Sequence, residues 1–152
     1  MDFDAATLAA RAPDAIIYAD STGKIRFWNE GATRIFGFSP DEAVGQSLDL
    51  IIPEQLRARH WEGFERTVAT GVSRYGVGEL LSVPARRKDG TRISVEFTIT
   101  PFKGNDGGIA GIGATMRDVS ARFQETRALK REVEAWRDRP AGKRPRPDMP
   151  DS

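Results

Sequence analysis

The chain has no cysteine and a single histidine among its 152 residues. The first absence excludes disulfides, thiolate metal ligands, a cysteine nucleophile and a cysteinyl–flavin photoadduct. The second excludes a multi-histidine zinc site, leaving only a carboxylate-rich one open to composition. No apolar run approaches the roughly 20 residues that span a bilayer, so no membrane association is expected. The N-terminus, MDFDAATLAARAP, lacks the basic start and long apolar stretch of a secretory signal, and cytoplasmic residence is the default expectation. Neither sign of charge dominates. A formal net charge of +1 gives no electrostatic case for nucleic acid as a partner. What remains is the length and the apolar-to-charged balance of one soluble domain.

The central stretch is PEQLRARHWEGFERTVATG, residues 53–71, and it reads as one helix. Pro53 suits a first helical position, Glu54 places negative charge in the first turn, and Gly71 suits a left-handed stop. Leu56, His60, Phe64 and Val68 recur every four residues and share a face, with Trp61 beside it. The lone histidine therefore sits in an apolar stripe. Two explanations stand: a core histidine with a bonded or solvent-tipped ring, or an axial ligand offered to a haem iron.

Before this helix, Ile16–Ala19 and Ile25–Trp28 read as a hairpin around the turn Asp20-Ser21-Thr22-Gly23. Asn29 can cap a helix that carries Ala32, Ile35 and Phe36 and ends at Gly37. Ser39-Pro40-Asp41-Glu42 is a compact helix start. After it, Glu79 to Arg87 reads as a strand whose Pro84 demands an edge or a bulge. Lys88-Asp89-Gly90 is a hairpin turn. Ile93, Val95, Phe97 and Ile99 alternate with polar residues up to Pro101, which is expected to end the strand. Ile109 to Val119 is a last strand, where Gly108, Gly111 and Gly113 leave room for a bulge or a close packing partner.

The N-terminal segment, residues 1–12, reads as a short flanking helix that must pack on something. Residues 121–139 read as a longer helix in which Thr126, Leu129, Val133 and Trp136 keep an a/d spacing that Val119 extends. This suggests a signalling or dimerisation helix, either in a short coiled coil or lying on a neighbour's sheet. Residues 140–152, basic and proline-rich, read as a disordered tail. The expected fold class is α+β: a five-stranded antiparallel sheet with helices on one face. No enzyme is expected. A histidine on an apolar helix face does not make a serine-type triad, and the Gly104–Gly108 loop has no phosphate-binding Lys-Ser/Thr after it.

Three motifs carry a family likeness: DAIIYADSTGKIRFWNEGATRIFGFSPDEAVGQSLDLIIP at 14–53, RRKDGTRISVEFTITPF at 86–102 and GIGATMRDVSAR at 111–122. Together they resemble a PAS domain, here residues 13–120. The stretch around His60 is similar to the haem PAS domain of rhizobial nitrogen-fixation sensor kinases that sense oxygen. That resemblance implies haem b, with His60 as the iron ligand and Leu56, Trp61, Phe64, Leu80, Phe97, Ile99, Ile112 and Met116 around it. It implies a haem-based gas or redox sensor, with a diatomic gas as ligand, a homodimer, and an unidentified signalling partner reached through the C-terminal helix. Leu80 stands where those sensors carry an arginine that reaches bound oxygen, and leucine cannot supply that hydrogen bond. The alternatives are a haem-free dimerisation or interaction module, or a sensor of a small apolar ligand such as a fatty acid.

Overall fold

The computed structural model describes residues 2–72 and 78–139. The chain divides at Val119/Ser120 into two compact units. The first holds a five-stranded antiparallel sheet in the order β2-β1-β5-β4-β3. Its strands are β1 (Ala15–Asp20), β2 (Ile25–Trp28), β3 (Leu81–Arg86), β4 (Arg92–Lys103) and β5 (Ile109–Asp118). Between β2 and β3 come α2 (Glu30–Phe36), α3 (Pro40–Ala43), two short 3₁₀ turns and α4 (Arg57–Thr70).

Local chemistry explains the helix bounds. The Asn29 side chain accepts from the Ala32 N–H to start α2, and Gly37, at φ +88°, ends it. Ser39 and Glu42 form a reciprocal capping box on α3, with Pro40 in its first turn. Asn29 does more than cap. It is buried, accepts from Ile16 N as well, and donates through Nδ2 to the Ala9, Ala12 and Asp14 carbonyls. It thereby ties α1 (Ala5–Arg11) to the entry of β1. That polar anchor lets α1 dock although it buries no residue and leaves Leu8 exposed.

The inner face of the sheet follows from register. Ala15, Ile17 and Ala19 lie opposite Met116, Ala114 and Ile112, and Phe97 and Ile99 lie opposite Met116 and Ala114. With Ile25, Phe36, Ile51, Phe64 and Val95, these residues other than Ala114 build one apolar core, Phe97, Ile99 and Met116 packing against it partly buried. Pro84 sits on β3, an edge strand, where its missing donor costs the ladder nothing. Pro101 does not end β4, which runs on to Lys103. The reason is tertiary: among the described residues, pairing with β3 stops at Phe97, so beyond it one side of β4 is an open edge where a proline fits. On the outer face, Gly111 and Gly113 make space for an edge-to-face pair of Tyr18 and Phe102. A Cβ at Gly111 would lie 2.3 Å from the Tyr18 hydroxyl oxygen.

The second unit contains α5 (Ser120–Arg137). Leu129 and Val133 are 61% and 48% exposed, so the a/d stripe is open over its middle. Val119 does not extend that stripe. It is buried in the first unit, with its N–H on the Ser94 carbonyl. The expected basic tail, residues 140–152, lies outside the described residues.

Candidate functional site

The central helix forms much as its sequence directs. Glu54–Leu56 is a 3₁₀ turn behind Pro53, and α4 then runs to Gly71, whose φ of +71° and N–H bond to the Thr67 carbonyl close it. The buried stripe is rotated from the expected one. Phe64 and Thr67 are buried, and Trp61 and Val68 pack on the core. Leu56 and His60 lie at the margin, each partly buried.

Trp61 causes the rotation. Its Nε1–H donates to Asp49 Oδ1 at 2.7 Å, which fixes the indole across the β1–β2 turn. A Cβ at Gly23 would lie 2.2 Å from that ring. Only glycine, already at φ +83° there, leaves the space. The Trp61 and Phe64 rings meet edge-to-face at 5.2 Å, and His60 meets Trp61 at 4.7 Å. The three rings form a continuous aromatic wedge along α4.

His60 holds a buried Nδ1 with no hydrogen-bond partner. Burial lowers its pKa below 6.5, and the nearby Asp49 carboxylate opposes that shift. The imidazole is therefore neutral at pH 7, which is the state an iron ligand requires. Phe97, Ile99, Ile112 and Met116 do converge with Trp61 and Phe64 in one apolar cluster. Leu80 stands apart, just ahead of β3 and 59% exposed. A neutral imidazole on a helix is donor chemistry that suits a haem iron, and the rings of Trp61 and Phe64 pack beside it. Among the described residues no three His, Asp or Glu side chains gather as a metal site.

Two clefts are lined by residues other than His60. One cleft of about 400 Å³ is bounded by Phe38, Leu50, Asp49 and Arg57 on one side and by Arg86, Arg87 and Lys88 on the other. A second, about 200 Å³, contains the Asp14–Arg117 ion pair and Arg34, and shares Arg87. Nε of Arg87 is buried and has no hydrogen-bond partner. No local signal could have revealed the cleft, because it forms only where residues 38–57 meet the β3–β4 hairpin.

Comparison with known proteins points one way. The profile of the PAS fold matches residues 10–124, well over half the chain. Sensor protein FixL of Bradyrhizobium diazoefficiens is 32% identical over 124 residues, covering 81% of this chain and 24% of that protein. Oxygen sensor protein DosP of Escherichia coli is 28% identical over 116 residues, covering 74% and 14%. The crystal structure of the PAS domain of a Colwellia psychrerythraea protein superimposes with a TM-score of 0.65 at 21% identity, covering 76% of this chain and 94% of that one. The chain spans a quarter or less of the length of the curated relatives it matches.

Proposed function

This chain belongs to the PAS-fold family, and from that premise we propose that it is a haem-free sensing and assembly module that pairs through α5. Its PAS domain is a sensor or interaction unit and not an enzyme. The observation that carries the haem-free reading is the wedge of His60, Trp61 and Phe64. Side chains of the domain itself fill the space between α4 and the β1–β2 turn, with Gly23 cut away to admit the indole. Buried aromatic area of this kind stabilises a closed interior.

Assembly rests on the second unit. Leu129 and Val133 repeat at a and d spacing and are exposed in the single chain, so a second copy of α5 is the natural cover. Sedimentation equilibrium of the full chain tests this: a dimer is expected, with a monomer for the Leu129→Glu/Val133→Glu variant. A wild-type chain that stays monomeric at every concentration rejects the pairing. Val119, covalently between β5 and α5 and bonded to Ser94, is the point at which a change in the sheet would reach that helix.

A second reading, a haem-based gas sensor, is favoured by the neutral, partnerless imidazole of His60 and by the likeness to FixL and to the oxygen sensor DosP. Haem would supply an iron that binds a diatomic gas; this chain would supply His60 as ligand. An absorption spectrum after purification with haem available decides between the readings. The haem-free reading expects no stoichiometric Soret band. A sharp band that is lost in His60→Ala overturns it in favour of the sensor.

A further inference from the structure

The arginine-lined cleft is built by residues of the first unit other than His60, Trp61 and Phe64. Three separate segments build it: Phe38 after α2, Asp49 to Arg57 ahead of and into α4, and Arg86 to Lys88 at the end of β3. Its cations are not all used by the protein. Arg57 is held in place, donating from Nε to the Ile52 carbonyl and from Nη2 to the Asp49 carbonyl, with the Asp49 carboxylate 3.9 Å away. Lys88 pairs with Glu42 at 2.6 Å. Arg87 differs: its side chain lines both this cleft and the neighbouring one around Arg117, and because its unpartnered Nε is enclosed, the terminal guanidinium nitrogens are the atoms a ligand would meet.

Charge and shape define that partner. Arg57, Arg86, Arg87 and Lys88 face three carboxylates, Asp49 beside Arg57, Glu42 on Lys88 and Asp89 within electrostatic reach of Arg87, leaving a local surplus of one positive charge. A guanidinium presents a planar fork that matches carboxylate and phosphate oxygens. Phe38 and Leu50 add an apolar wall, and the volume of about 400 Å³ lies in the range of small-molecule sites. We propose that this cleft binds a small organic dianion, a phosphate monoester or a paired carboxylate, whose head group meets Arg87 and Arg86 and whose apolar body lies against Phe38 and Leu50. Asp49 links the site to the central helix, because its carboxylate both faces Arg57 and accepts from Trp61. Occupancy at the cleft therefore acts on the residue that holds the aromatic wedge.

Isothermal titration of the full chain with phenyl phosphate, inorganic phosphate and malonate, at constant ionic strength set with sodium chloride, tests the proposal. Saturable binding of phenyl phosphate or malonate is expected, with the preferred probe naming the head group and inorganic phosphate weaker than phenyl phosphate. Arg87→Gln should weaken binding about tenfold or more. Arg86→Gln, on an exposed side chain that the fold does not need, should weaken it by a smaller factor and guards against a misfolded Arg87 variant. Absence of saturable binding by all three probes overturns the proposal. So does binding unchanged in both variants, or a heat that sodium chloride alone abolishes.

Discussion

Two regions lie one helical turn apart on α4 and solve opposite problems. Around Trp61 and Phe64 the chain has filled its interior with aromatic rings and removed a side chain at Gly23 to do so. Around Arg57 it has gathered like charges and left open space, with a buried donor on Arg87 unmet. Dense apolar packing is self-sufficient, since each added contact stabilises the folded chain. A cleft of guanidinium groups is not, since its cations repel each other and lose hydration. The difference separates what holds this domain together from what it can offer to another molecule. Asp49 belongs to both regions, accepting from Trp61 and facing Arg57.

The largest effect should come from breaking the filled region at its centre. Phe64 is buried and touches both neighbouring rings. Phe64→Ala should lower unfolding free energy by about 3–4 kcal/mol, the range for a buried aromatic replaced by a cavity. Urea unfolding followed by tryptophan fluorescence measures it. A loss below about 1 kcal/mol would mean that the interior is already loose, and the contrast with the cleft would fail. Gly23→Ala attacks the same region from the turn. The new methyl would meet the Trp61 ring, and φ is +83° there, so a loss of about 1–3 kcal/mol is expected from overpacking and backbone strain together. A changed near-UV dichroism should accompany it. A variant as stable as the wild type would show that the indole can leave the turn freely.

Much of this was legible beforehand, and the parts that were not have a common cause. The capping box at Ser39 and Glu42, the stop at Gly71 and the alternation from Ile93 to Ile99 are local signals, and each element formed where its residues ask. Trp61 was placed beside the apolar stripe when it is the side chain that orients it, because its partners Asp49 and Gly23 are distant in sequence. Pro101 was expected to end β4; only the tertiary fact that β3 pairs no further than Phe97 makes a proline harmless there. Val119 kept heptad spacing with Thr126 but lies in the first unit, so periodicity alone overextended the helix stripe. The convergence of Arg57, Arg86 and Arg87 on one cleft has no sequence period, so no local pattern announces it. Of the residues grouped around His60 by resemblance, those on β4 and β5 came together through strand register, while Leu80 stands outside the cluster.

A smaller effect tests the residue shared by the two regions. Asp49→Asn keeps an acceptor for Trp61 Nε1 but removes its charge, so a loss of about 0.5–1.5 kcal/mol is expected, toward the low end because Asp49 is partly exposed. The same change should lower the pKa of His60 further, since the Asp49 carboxylate is what raises it against burial. The sign for stability follows. A histidine whose folded pKa lies below its unfolded 6.5 favours the folded state in its neutral form, fully above pH 6.5, and that contribution is lost as pH falls from 6.5 through the folded value. Acid unfolding between pH 7 and 5 should steepen in Asp49→Asn and flatten in His60→Gln. Identical slopes in all three proteins would show that His60 is not desolvated, and with it that the wedge is not closed to water.

The smallest effect is expected on the open side, and its smallness is the point. Arg87 contributes a buried donor without a protein partner, so removing its charge deletes an unfavourable group along with the aliphatic contacts of its stem. These two changes oppose each other, and Arg87→Gln should leave unfolding free energy within about 0.5 kcal/mol of wild type or raise it slightly. Chemical denaturation in a buffer free of phosphate and carboxylate measures this, and repeating it with phenyl phosphate should stabilise the wild type more than the variant, because a ligand that binds the folded state shifts unfolding by mass action. A large loss in the bare buffer would make Arg87 a structural residue like Phe64, and the two regions would then follow one rule. An unchanged bare stability joined to a lost response to the ligand would show that the fold carries this guanidinium for something outside itself.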